Sequence, residues 1–228
     1  MKNQFFGDNR DLFKYDLILS VVKGIDQVKQ FTFIPMLTED SGDHGNQIDR
    51  KRAKAGFNNG ELQIFLDNCI SSNVRNIVKI NEYFVKKGLK TISNKEDDNF
   101  THINRNHYFS QLRIEYLENA LVFVDPDNGL EIKKSGSKHI LYSEIRELYE
   151  NMNENSVLMI FQFFPREKRK QYIDRRIEEL KNITKDIAIY ISDNVIIFFF
   201  LTKNDIIKNQ LKEIIKSYVY EYPSLYYG

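Results

Sequence analysis

The residues best suited to chemistry stand in one short run, Val124-Asp125-Pro126-Asp127-Asn128-Gly129-Leu130-Glu131. The apolar stretch NALVFVDP leads into it, and an apolar run this short reads as a buried strand. Pro126 has no N–H to give a strand ladder and stops it, while Gly129 permits a tight turn near a ligand. Asp125 and Asp127 would then project into a cleft. Asp, Pro, Asn and Gly are also ordinary turn formers, so a plain strand-to-loop turn is the alternative. Position favours a site, because ligands of open α/β sheets lie outside the carboxyl ends of the strands.

Other candidates surround this run. Asp8, Asp11 and Lys14 have helix-start spacing, which suits an N-terminal cap and an intrahelical ion pair. Arg105, His107 and Tyr108 precede a helix expected to face the cleft. Arg50-Lys51-Arg52 with Lys54, and Arg166, Lys168, Arg169 and Lys170, form two basic groups. Either is a solvated surface or a set of phosphate contacts. The second begins a helix, where positive charge opposes the macrodipole and hints at an anionic partner. Pro126-Asp127 with Glu131-Ile132-Lys133 superficially matches the P-D…E-x-K signature of metal-dependent nucleases. Three intervening residues leave little room for the paired strands that signature needs. An acidic Mg or Mn site built from Asp125, Asp127, Glu131 and Asp8 is the better metal alternative.

The chain has 228 residues, with 33 Lys+Arg against 32 Asp+Glu and a formal charge of +1. That balance excludes a protein that coats nucleic acid by charge alone but permits a local basic patch. Hydrophobic residues make up 42% and aromatics 13%, enough for a real core. The single Cys69 cannot form an internal disulfide or a zinc cluster, which points to a reducing, cytoplasmic setting. No run reaches the ~20 apolar residues of a membrane span. The N-terminal residues read as neither signal nor transit peptide. No HExxH, Walker loop, G-x-S-x-G or C-x-x-C motif occurs.

The elements that must position these residues follow from periodicity. Helices are expected at residues 9–23, with Asp8 as cap, and at 61–70, 73–87, 107–117 and 143–152, with Ser143 as cap. Two more are expected at 166–182 and 204–220. Strands are expected at 31–38, where Pro35 ends or bulges the ladder, and at 89–92, 119–126 and 156–164. Those at 186–192 and 194–202 are so close that they must form an antiparallel hairpin. Polar insertions fall at about 39–60 and 93–106 of a single domain spanning 1–228. Alternating strands and helices predict an α/β fold: a mostly parallel, Rossmann-like sheet covered on both faces. The antiparallel hairpin at its end is the pattern of class I methyltransferases. The strand ends that would form a cleft are 37–40, 125–128 and 163–166.

The opening Gly7-Asp8-Asn9-Arg10-Asp11-Leu12-Phe13-Lys14-Tyr15 resembles the G-N-x-A-D-x-x-K-H opening of the 23S ribosomal RNA adenine-N6 methyltransferases. In that family a D-P-P-Y catalytic turn follows, and then a strand ending in Tyr-Pro with a downstream Arg. Asp125-Pro126-Asp127-Asn128 stands in the place of D-P-P-Y, and Phe164-Pro165-Arg166 with Arg169 in the place of the second element. The resemblance implies S-adenosylmethionine as cofactor and nucleic acid as substrate. It implies Asp125, Asp127 and Asn128 as catalytic residues and Asp8, Lys14, Thr38 and Asp40 at the cofactor. Arg105, Tyr108, Arg166 and Arg169 would meet the substrate. This chain departs from the pattern in three places. Asp127 replaces the second proline, Asn128 replaces the base-stacking aromatic, and Met36-Leu37-Thr38 carries no G-x-G. Tyr108, Phe109 or Tyr142 are the candidates to replace the ring. The sequence is also similar to bacterial and phage proteins sharing F-G-D-x-x-D-x-F-K and D-P-D-N-G. Two alternative readings remain: a divalent-metal-dependent nuclease or nucleotide hydrolase, and a non-catalytic phage or defence interaction protein.

Overall fold

The computed structural model describes residues 1–40, 49–53, 55–93 and 99–228. The helices are α1 (Asn9–Gly24), α2 (Gly60–Ser71), α3 (Ile80–Lys86), α4 (Arg105–Ser110), α5 (Tyr142–Asn151), α6 (Arg169–Thr184) and α7 (Asp205–Glu221). The strands are β1 (Gln30–Pro35), β2 (Lys90–Ser93), β3 (Ala120–Asp125), β4 (Gly129–Leu130), β5 (His139–Ile140), β6 (Val157–Phe163), β7 (Ile189–Ser192), β8 (Ile196–Leu201) and β9 (Tyr226–Tyr227).

The main sheet has the order β2-β1-β3-β6-β8-β7-β9. β2, β1, β3 and β6 are mutually parallel. β8 runs antiparallel to both β6 and β7 and lies between them. The fold is therefore α/β with a mostly parallel central sheet. β4 and β5 form a separate two-stranded parallel pair just past the end of β3.

The central strands are apolar along their whole length because both faces are covered. Phe31, Phe33, Phe123, Phe161 and Phe198 pack on one face with the buried sides of α1, α2, α3 and α7. Ile34, Val122, Val124, Ile160 and Phe199 pack on the other with α4, α5 and α6. The ring of Phe13 on α1 meets Phe198 edge-on at 5.2 Å, fixing the helix over the sheet. Asp8 caps α1 by accepting from the N–H groups of Arg10 and Asp11, as its position predicts. That anchors the start of α1 at the carboxyl ends of the parallel strands.

Four expectations need correction. The stretch 107–117 is not one helix: α4 starts at Arg105 and stops at Ser110, with only a short 3-10 turn, Ile114–Tyr116, after it. Residues 73–87 likewise divide into a 3-10 turn, Ile77–Lys79, and α3. Ser143 does not cap α5; the helix starts one residue earlier, and Glu144 reaches back to accept from Leu141 N. α6 begins at Arg169, so Arg166 and Lys168 lie before it.

Candidate functional site

The chain crosses β1 to reach β2 on one side and β3 on the other. The direction of strand order therefore reverses between β1 and β3, which is where open parallel sheets form a ligand crevice. Pro35 pairs with Asp125 at the very end of this ladder, and Met36 N donates onward to Asp125 O at 3.2 Å. Beyond that point the ladder ends, and the segments stay joined through the side chains of Thr38 and Asp127.

Lys14 enters the crevice from α1. Its Nζ donates to Asp125 Oδ2 at 2.7 Å and to Asp11 Oδ1 at 2.9 Å. All three side chains are buried. Burial alone would lower the lysine's pKa, but the two carboxylates outweigh it and hold Lys14 charged. Burial pushes Asp125 upward, against the pull of Lys14 and the Met1 ammonium. Asp8, also buried, is raised to about 6 by desolvation and by the neighbouring Asp11 carboxylate. The floor thus carries three aspartates against Lys14 and, 3.6 Å from Asp8, Arg10.

Asp127 stands half-buried at the mouth. Burial pulls its pKa up, but the Met1 ammonium at 3.4 Å and Lys138 at 3.5 Å hold it below the usual carboxylate range. Thr38 Oγ1 donates to Asp127 at 3.2 Å. The Met1 amine donates to Met36 O at 2.9 Å, and burial lowers its pKa to about 6. Arg10 lies over the Phe163 ring at 5.2 Å. Met1, Phe5, Asp8, Lys14, Asp127 and Phe161 are among the residues enclosing a cavity of about 60 Å³.

The structure brings Asp8, Lys14, Thr38, Asp125 and Asp127 into this one crevice. Asn128, at its edge, exposes its side chain and fixes its backbone to Lys138 and Phe163. Asp40 sits outside, accepting from Gln4 N. Arg105 and Tyr108 do not reach the crevice. Arg105 is buried, bound through two nitrogens to Glu144 and through a third contact to His139 O. Tyr108 is buried with its hydroxyl on Pro35 O, so its ring is no stacking platform. Phe109 is buried as well, and the Tyr142 hydroxyl is held by Glu179 and Arg176. Arg166 is exposed, and Arg169 is fastened to Asn194. In the other basic group, Arg50 is spent on Asp67 and Gly7 O, and Lys54 lies outside the described residues.

The four carboxylates of the metal alternative are engaged separately: Asp125 with Lys14, Asp127 with Met1 and Lys138, Glu131 with Tyr142 N, Asp8 as a helix cap. Among the described residues no group of three or more His, Cys, Asp or Glu is arranged to hold a metal ion. No helix among them is long and apolar enough to cross a membrane.

Sequence reasoning missed Gln162. Its Oε1 accepts from Leu130 N at 2.8 Å and its Nε2 donates to Asn128 O at 3.1 Å, so it braces the turn after Asp125. The signal was available: Gln162 is the one polar residue in the run VLMIFQF. Gly129 has φ +131°, and a Cβ there would strike the Gln162 carboxamide. The glycine is thus needed for the brace as well as for the turn.

The chain matches no family model, no curated protein and no solved structure.

Proposed function

We propose that the protein is a Rossmann-like, class I-type methyltransferase that uses S-adenosylmethionine to methylate an amino group of nucleic acid, with adenine as the expected acceptor. One observation carries the reading. The antiparallel β8 lies between β6 and β7, and the Asp125-Pro126-Asp127-Asn128 turn stands at the carboxyl end of β3, beside the reversal of strand order. A hairpin strand in that slot and an acidic proline turn at that strand end are what the resemblance leads one to expect.

The lining sets Asp8, Asp11, Asp125 and Asp127 against Lys14, Arg10 and the Met1 ammonium, so the carboxylates left to meet the cationic end of the cofactor are the two that Lys14 does not bind, Asp8 and Asp127. The cavity of about 60 Å³ takes a small charged group only, whereas small-molecule sites usually offer about 300 Å³ or more. On this reading the rest of the cofactor rests on Thr38 and Asp40 past the end of β1. The cofactor's contribution is an electrophilic methyl group. The chain's own residues hold and orient the acceptor. Asp127, kept ionised by its cationic neighbours, accepts from the target amine, and the exposed Asn128 carboxamide aligns it. Asp125, locked to Lys14, acts as a positioning residue for the turn.

Transfer of labelled methyl groups from S-adenosylmethionine to RNA and DNA tests this reading. Incorporation should fall about tenfold or more from the wild type in Asp127→Ala, the scale of one lost hydrogen bond to a charged group. No incorporation above a heat-inactivated control, on either polymer, would overturn it.

A further inference from the structure

We propose that the groove between residues 131–134 and α6 binds the phosphate backbone of a nucleic-acid strand and leads it towards the Asp127 crevice. The proposal deepens the functional reading above and rests on it for the identity of the polymer. The groove has a volume of about 800 Å³, far larger than the crevice, and Ile132, Lys133, Lys134, Tyr142, Arg175 and Arg176 are among its lining residues.

Its charges divide into a spent set and a free set. Arg175 is paired with Glu167 at 3.0 Å, and Arg176 with Glu179 at 2.7 Å. Glu131 is used by Tyr142 N. Lys133 and Lys134 are exposed and form no salt bridge among the described residues. Arg166 and Lys168 flank Glu167 in sequence and are exposed too. Once the acids are discounted, the positive charge that remains lies on the rim, where a polyanion would release counterions.

Arg176 forms the base of the groove but is itself held by the protein. It is 5% exposed, and its Nη1 donates to Glu131 O, to the Tyr142 hydroxyl and to Glu179 Oε2. The cations left for a phosphate are therefore the exposed lysines. Direction comes from the loop itself. It leaves the groove at Lys134 and ends at Lys138, whose Nζ lies 3.5 Å from Asp127 and whose carbonyl accepts from Asn128 N. A small anion would need one of these contacts; a strand would use the row.

The test is fluorescence anisotropy with labelled single-stranded RNA and DNA 12-mers over a range of salt, without cofactor. The Lys133→Gln/Lys134→Gln double variant should bind several-fold more weakly. Its log K against log salt slope should be shallower by about 1.4, two phosphate contacts at about 0.7 each. Lys212→Gln, an exposed change on α7, should leave both unchanged. Unchanged affinity and slope in the double variant, or no binding of either 12-mer at low salt, would overturn the groove. Because no cofactor is present, intact binding with absent methyl transfer would overturn the functional reading and leave the groove standing.

Discussion

Lys14 holds two aspartates 114 residues apart in sequence, Asp11 and Asp125, in one buried contact. A buried charge set of this kind is costly to break, because the remaining partners lose both water and counter-charge. Lys14→Met should therefore lower stability by about 3–5 kcal/mol, read as a fall in denaturation midpoint. A loss below about 1 kcal/mol would mean that the aspartates are solvated. Asp8 offers a pH signature. Its carboxyl is raised from 3.8 to about 6, so the folded chain binds that proton more tightly than the unfolded one. The associated stability is complete below about pH 4 and is lost as pH rises through 6. Asn is an equally good cap and cannot titrate. Asp8→Asn should thus gain thermal stability relative to the wild type between pH 4 and 6 and hold that gain above it. The Met1 amine, lowered from 8.0 to about 6, titrates above this window with the opposite sign. A constant difference across the window would contradict the buried, proton-retaining Asp8.

At the scale of elements, the turn after β3 depends on a glycine and a glutamine from different strands. Gly129→Ala forces a side chain into a φ of +131° and into the Gln162 carboxamide. The cost should be about 1–3 kcal/mol, seen as a fall of several degrees in Tm. An unchanged Tm would show that the turn tolerates another path. Local signals made most elements legible. Asp8 capped the helix it was expected to cap, Pro35 ended β1, and the short joint at Asp193 gave the hairpin. The placement of Arg105 and Tyr108 was not legible. Their partners, Glu144 and Pro35 O, lie 39 and 73 residues away, and no local pattern encodes a pairing between elements so distant in sequence. Tyr108, Leu112 and Tyr116 stand at a helical spacing of four, which extends the expected helix past Ser110, although the chain leaves α4 there and takes only a 3-10 turn over Ile114–Tyr116.

At the scale of the whole molecule, a near-neutral composition resolves into regions. The acids gather at the reversal of strand order, and the unpaired bases on the lip beside α6. The sequence showed the acidic turn and the basic run separately. It could not show that Lys14 neutralises the first, or that Glu167 and Glu179 neutralise part of the second, because both depend on tertiary contacts. On the proposed function, the crevice outside β1 and β3 receives S-adenosylmethionine. Isothermal titration of S-adenosylmethionine into the intact chain tests it most directly. We expect saturable binding of one molecule per chain, weakened in Asp8→Asn, which keeps the helix cap, and unaffected by Lys212→Gln. Absence of binding at millimolar cofactor, by protein shown to be folded, would contradict it.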